Sequence, residues 1–142
     1  MNSRVDWKAV AAGAVVAIAV GVLASVVAAV IDLPKDSNGW YVFFWIDIIG
    51  AAVGGFIAGR RRLDTPLLHG ALVGACAYVV IAAFATTITL VSGHAGPGVA
   101  QVLFAILWLA LGGTIGGWIA SWRGQATRAA LLVEISSETD SW

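Results

Sequence analysis

Apolar residues follow one another in four long stretches, and short polar or glycine-rich segments separate them. The stretches cover residues 9–31, 40–59, 67–91 and 99–122. Each is close to the length of about 20 residues that an α-helix needs to cross the hydrocarbon core of a bilayer. The pattern predicts an all-α membrane protein with four transmembrane helices.

The composition agrees with a membrane location and leaves little chain for a second domain. Of the 142 residues, 60% are hydrophobic and 11% are charged, and the mean hydropathy of +0.91 is above the range of soluble domains. We expect residues 1–128 to form one transmembrane domain and residues 129–142 to form a polar cytoplasmic tail. The apolar start of this tail, through Ile135, favours a short interfacial helix, and its acidic end favours disorder.

Positive charges are divided unevenly between the two sides of the predicted bundle. Seven of the eight Lys and Arg residues precede the first span, follow the second or follow the fourth, and only Lys35 lies on the other side. By the positive-inside rule, both termini and the loop with Arg60, Arg61 and Arg62 are predicted to be cytoplasmic. The loops at residues 32–39 and 92–98 are predicted to face outward.

The second and fourth spans end in similar stretches, VGGFIAGRRR at residues 53–62 and IGGWIASWRG at residues 115–124. The first and third spans share a shorter likeness, AGA at residues 12–14 and VGA at residues 73–75. These matches predict two weakly repeated helical hairpins of parallel topology. The alternative is that glycine-rich membrane helices resemble one another by composition alone.

Small residues recur every four positions on the second and fourth spans. Lipid tails are as apolar as leucine, so membrane helices associate through close backbone contact, which small residues permit. We therefore predict that these residues pack against other helices, within one chain or in a homo-oligomer, with a homodimer preferred. They are Gly50, Gly54, Gly55, Ala58, Gly59, Gly112, Gly113, Gly116, Gly117 and Ala120.

One acidic residue, Asp47, lies inside the second span, on the helix face of Gly50 and Gly54. A carboxylate at a helix centre costs about 2.5–3.5 kcal/mol on insertion scales, so such residues are often functional. Ser25, Tyr78 and Trp108 lie at similar depth and could donate hydrogen bonds to it. Two hypotheses stay open: the carboxyl binds a neighbouring or partner helix, or it is the proton or cation site of a small transporter or channel.

The sequence offers no recognisable catalytic or metal-binding arrangement. Cys76 is the only cysteine, and His69 and His94 lie on opposite sides of the predicted membrane. No nucleophile with a base, catalytic carboxylate pair or phosphate-binding loop is present, so we expect no enzyme, cofactor or nucleic-acid partner. His69 is expected at the lipid headgroups, and Arg60, Arg61 and Arg62 are expected to fix topology or bind anionic headgroups.

The segment GGFIAGRRRLDTPLLHGALVGA, residues 54–75, joins a G-G-x-x-A-G-R helix end to an L-L-H-G-A-L-x-G helix start. In these motifs the chain resembles small four-helix bacterial membrane proteins of uncharacterised function. The resemblance implies the bacterial cytoplasmic membrane and brings no known activity. The expected function is that of an integral membrane packing or interaction protein that self-associates through its glycine-rich faces or serves a larger envelope complex.

Overall fold

The computed structural model describes residues 5–31, 38–91 and 98–139, which form four α-helices and short connections. The helices are α1, Trp7–Val30; α2, Trp40–Arg61; α3, Pro66–Val91; and α4, Val99–Thr139. Each is long and apolar enough to cross a membrane, so the prediction of a multi-pass helical membrane protein is confirmed. Most of the two predicted outer loops, residues 32–37 and 92–97, lies outside the described residues.

The connection between α2 and α3 is four residues long, so these helices run antiparallel as neighbours. Arg60 and Arg61 occupy the last turn of α2, where positive charge interacts favourably with the helix dipole. Pro66 begins α3 at a position where its missing N–H leaves no hydrogen bond unmade.

α2 and α3 form the centre of the bundle. Each contacts the three other helices, whereas α1 and α4 make no contact with each other within the described residues. A two-fold relation between the hairpins would make the α1–α4 contact equivalent to the α2–α3 contact, and only the second is present. The two hairpins therefore pack differently, and their relation by a sequence repeat stays a prediction.

One row of small residues on α2 faces α1. A Cβ on Gly13 would overlap the carbonyl oxygen of Gly54, and a Cβ on Gly54 would overlap that of Gly13. One helical turn away, a Cβ on Gly50 would lie 2.8 Å from Cγ1 of Val20. The backbones of α1 and α2 thus touch at a point where neither helix carries a side chain.

Gly113 of α4 lies where three helices meet. A Cβ on Gly55 of α2 or on Gly70 of α3 would overlap its carbonyl oxygen. A Cβ on Gly113 would in turn overlap the carbonyl oxygen of Gly70. Because all three residues lack a side chain, the backbones of α2, α3 and α4 come into direct contact here.

The other small residues of the predicted rows are also inside the bundle. Gly59 of α2 lies against Gly117, and Gly116 of α4 lies against the backbone of Ala52. All ten residues of the rows are buried within the single chain: Gly50, Gly54, Gly55, Ala58, Gly59, Gly112, Gly113, Gly116, Gly117 and Ala120. Neighbouring rows on one helix thus face different partner helices.

Asp6 caps the first helix and ties it to the turn after α2. Its Oδ1 accepts hydrogen bonds from the backbone N–H groups of Lys8, at 3.1 Å, and Ala9, at 3.2 Å. These donors have no partner inside the helix, which is why an acid at this position stabilises a helix start. Its Oδ2 pairs with Nε of Arg62 at 3.3 Å.

His69 joins α3 to the start of α1. The backbone N–H of Asp6 donates to Nε2 of His69 at 3.0 Å, and Nδ1 lies 2.8 Å from the carbonyl oxygen of Thr65. Since Nε2 accepts and a carbonyl cannot donate, the ring is neutral with its proton on Nδ1. His69 is 0% exposed, so its side chain does not contact the leaflet, while its expected level near the headgroups stays a prediction.

α4 is longer than the predicted fourth span. The part of α4 that is apolar enough to cross a membrane extends to Thr127, and the helix continues to Thr139 without a break. The residues expected to form a separate interfacial helix are a continuation of α4 instead. Residues 140–142, where the tail was expected to be disordered, lie outside the described residues.

Replacing Gly113 with serine is expected to lower the free energy of unfolding by about 1–3 kcal/mol, because the new side chain overpacks a backbone contact. Unfolding by sodium dodecyl sulfate in mixed micelles, followed by tryptophan fluorescence, measures the change. Gly98→Ser is the matched control, since a Cβ at Gly98 meets nothing within 4 Å. Equal stability of the two variants would show that the contact at Gly113 does not limit packing.

The contribution of Asp6 to stability is expected to depend on pH. The pKa of its carboxyl is held below the ordinary value of 3.8, first by the N–H of Ala9 and then by the Arg62 guanidinium. The folded protein prefers the charged form, so the contribution is complete above pH 3.8 and disappears as the pH falls through the lower pKa of the folded state.

The thermal midpoint of the wild type should therefore exceed that of Asp6→Asn at neutral pH, and the difference should shrink in acid. Asparagine is the suitable replacement, because its oxygen can still cap α1 but does not titrate. Asp64→Asn, in the exposed part of the α2–α3 turn, controls for the loss of one charge. A difference between wild type and Asp6→Asn that stays constant with pH would contradict the prediction.

Candidate functional site

The carboxyl of Asp47 lies in the contact between α1 and α2. A Cβ on Gly21 of α1 would be 3.2 Å from its Oδ1, so the missing side chain of Gly21 leaves room for the carboxyl. Oδ1 is buried, and no described residue forms a hydrogen bond with it. A buried acceptor without a donor costs about 1–3 kcal/mol. The site therefore gains stability from any group that brings a hydrogen-bond donor or a proton.

A cavity of about 220 Å³ adjoins Asp47 between α1 and α2. Its lining residues are Ala24, Ser25, Ala28, Phe43, Phe44 and Asp47. The α1 side consists only of small residues, and Ser25 is exposed at the surface of the bundle. The cavity thus reaches the side of the bundle at Ser25 along a wall of small residues, while Oδ1 itself is buried; we call this cavity the Asp47 groove.

Of the three predicted donors near Asp47, which are Ser25, Tyr78 and Trp108, only Ser25 lines this cavity. Its hydroxyl donates to the carbonyl oxygen of Gly21 at 2.9 Å. A serine has one hydroxyl hydrogen, so it cannot donate to the carboxyl in this arrangement. Tyr78 of α3 is half-buried and is not part of the cavity lining. The structure therefore brings Asp47 and Ser25 to one cavity, which Tyr78 does not line.

Aromatic side chains close the other side of the cavity. The ring of Phe44 meets that of Trp108 on α4 edge to face, with centroids 6.4 Å apart. Trp108 in turn contacts Phe104 at 5.9 Å in a similar geometry. These contacts fix the wall of the cavity from the side of α4, because edge-to-face aromatic pairs have a preferred orientation.

The three consecutive arginines do not form a single patch. Arg62 pairs with Asp6, and Arg61 is exposed. Arg60 places Cζ 5.6 Å from the ring centroid of Phe56, and Arg123 of α4 places its Cζ 6.0 Å from the same centroid. Arg123, which the sequence did not single out, thus shares the Phe56 ring with Arg60. We call this end of the bundle the arginine end.

Asp6 and His69 are the other residues whose roles were missed. A signal was available for Asp6, because an aspartate directly before a long apolar run is a typical helix N-cap. The pairing of His69 with the backbone of residue 6 depends on how α1 and α3 pack, which no local pattern shows. No group of three metal-ligating side chains occurs among the described residues.

Residues 3–120 match the sequence model of a family described as "Protein of unknown function (DUF3792)". The match includes α1, α2, α3 and α4 as far as Ala120, together with the segment at residues 54–75. No curated protein matches the chain, and no solved structure matches it. The expected likeness to proteins of uncharacterised function is confirmed at the level of the family. Because the match covers most of the 142 residues, this protein belongs to the DUF3792 family, whose function is unknown.

Proposed function

We propose that this protein acts by binding other membrane helices, with a second copy of itself as the first partner, and that Asp47 is the contact. The observation that carries the proposal is the buried Oδ1 of Asp47, which has no hydrogen-bond donor among the described residues. A partner helix that supplies a donor would remove the cost of this unsatisfied group.

The groove beside Asp47 suits the approach of another helix. Ala24, Ser25 and Ala28 form its α1 wall, and small residues of this kind let two backbones come close in a bilayer. A two-fold symmetric pair of chains would present the same groove from both sides. A protein subunit of a larger envelope complex could occupy the groove in the same manner.

The glycine rows of α2 and α4 are a weaker candidate for self-association than the sequence suggested. Their ten residues are buried against helices of the same chain. A second copy would have to open the bundle to reach them and would break backbone contacts such as that between Gly55 and Gly113. We therefore assign the rows to folding and the Asp47 groove to association.

We further propose that both termini and the arginine end face the cytoplasm of a bacterial cell. The uneven distribution of Lys and Arg supports this orientation. The resemblance of residues 54–75 to small bacterial membrane proteins supports the cytoplasmic membrane as the location.

Self-association should weaken about 25-fold when Asp47 is replaced with alanine, since a two-fold symmetric pair loses two interhelical hydrogen bonds of about 1 kcal/mol each. Stepwise photobleaching of singly labelled chains in lipid vesicles, at increasing protein density, gives the dimer fraction. Asp64→Ala removes an exposed acid from the α2–α3 turn and is the control, expected to associate as the wild type does. Wild-type protein that stays monomeric at every density would refute self-association, and an unchanged dimer fraction in Asp47→Ala would refute the role of Asp47.

A second candidate function is a small proton- or cation-coupled transporter or channel built on the same carboxyl. The cavity between Asp47 and Ser25 favours it, because an ionisable group beside open space inside a membrane is a common transport site. Against it, α1 and α2 are in backbone contact at Gly13 and Gly54, between Asp47 and the arginine end. A pathway through this interface would require the two helices to separate.

Proton flux into vesicles under a potassium diffusion potential distinguishes the two candidates. As an interaction protein, the wild type should show no flux above empty vesicles, while Asp47→Ala lowers the dimer fraction. Flux that Asp47→Asn abolishes, with the dimer fraction intact, would favour the transporter instead.

A further inference from the structure

A second cavity, of about 360 Å³, lies at the arginine end between α2 and α4. Its lining residues are Arg60, Leu63, Ala120, Arg123, Gly124 and Thr127. A Cβ on Gly124 would lie 2.9 Å from Cδ2 of Leu63, so the side of the cavity near Leu63 depends on a glycine. Two different helices thus supply one arginine each to the same space.

The charges around this cavity are not balanced. Both arginine Cζ atoms lie within 6.0 Å of the centroid of Phe56, so the two cations share one aromatic ring although their charges repel. No acidic side chain lines the cavity, and among the side chains that the structure describes the one ion pair joins Arg62 to Asp6. An anion between the two guanidinium groups would remove the repulsion.

The chemistry of the lining favours a phosphate group. Guanidinium groups present paired N–H donors that match the oxygens of a phosphate. The hydroxyl of Thr127 donates to the carbonyl oxygen of Arg123 at 3.1 Å, so the arginines are the strong donors here. Leu63 and Ala120 add apolar surface beside the two charges.

The position of the cavity favours a lipid as the source of that phosphate. α2 has 22 residues and is therefore about 33 Å long, close to the thickness of the hydrocarbon core. Arg60, in its last turn, lies at the level of the headgroups when α2 spans a bilayer. Trp118 and Trp122 stack at 6.5 Å on α4 beside Arg123, and tryptophans are typical of this level.

We propose that the cavity between Arg60 and Arg123 binds the phosphate of an anionic membrane lipid, with its glycerol backbone against Leu63. The site depends on two arginines that are distant in sequence, and not on the run of three after α2. This site is separate from the Asp47 groove, which lies between α1 and α2.

Binding of phosphatidylglycerol to the purified protein, measured by native mass spectrometry, tests the proposal. Each cation near an acidic lipid contributes about fivefold in affinity, so Arg60→Gln with Arg123→Gln should lose about 25-fold. Lys8→Gln with Arg61→Gln removes the same net charge from exposed residues outside the cavity and is the matched control. The control should lose much less affinity for phosphatidylglycerol. Equal losses of affinity in both double variants would show that the lipid responds only to the overall charge of the protein, and would overturn the site.

A variant that keeps both arginines tests the site independently, in case Arg60→Gln with Arg123→Gln misfolds. Thr127→Trp fills the cavity without changing any charge and should also lose most phosphatidylglycerol binding. Wild-type affinity in Thr127→Trp would show that the lipid binds elsewhere and would overturn the proposal.

Two further ligands identify the source of the phosphate. Phosphatidylcholine with the same acyl chains should bind far more weakly, and inorganic phosphate at equal ionic strength should not displace phosphatidylglycerol. Equal binding of the two lipids would overturn the anion site. Displacement by inorganic phosphate would overturn the lipid as its occupant.

Discussion

Direct contact between helix backbones is the constraint on which this bundle depends. Inside a bilayer the burial of apolar side chains gives little stability, because lipid is as apolar as a protein core. The helices gain dispersion energy only where their atoms come close, and Gly113, with Gly55 and Gly70, brings three backbones together at one point. In this chain, neighbouring rows of small residues on α2 face different helices. As a result, α2 is packed on several sides.

The same close packing determines where polar chemistry can occur. Asp47 lies in the α1–α2 contact, and a cavity adjoins it because the α1 side chains there are small. The glycine at position 21 leaves space for the carboxyl but offers no side-chain donor, and Ser25 already donates to a backbone carbonyl. At the arginine end, by contrast, the ring of Phe56 lies within 6.0 Å of the guanidinium carbons of Arg60 and Arg123, and residues of α4 complete the cavity. The bundle thus holds one acidic and one basic site, separated by tightly packed backbone.

Helix number, membrane character and most helix boundaries could be predicted from the sequence, because runs of apolar residues directly reflect the thickness of a bilayer. The end of α4 could not, since the helix continues to Thr139, beyond its apolar run. The inward position of Asp47 followed from its angle on α2 relative to Gly50 and Gly54. The partners of each side chain could not be predicted, since they depend on which helices adjoin. Ser25 was identified as a neighbour of Asp47, but its bond to Gly21 was not; Tyr78 was expected there and is absent from the cavity lining. Arg123 was missed because its companion, Arg60, lies on another helix.

The bond between His69 and the backbone of Asp6 has a consequence for biogenesis. It joins residues 63 positions apart, and Arg62 reaches the same aspartate from 56 positions away. Because a chain is synthesised from its amino terminus, all of α1 is made before Arg62 and His69. The amino-terminal end of α1 therefore forms its hydrogen bond with His69 only after the start of α3 has been synthesised. This end of the first helix is thus one of the last parts of the bundle to reach its final contacts.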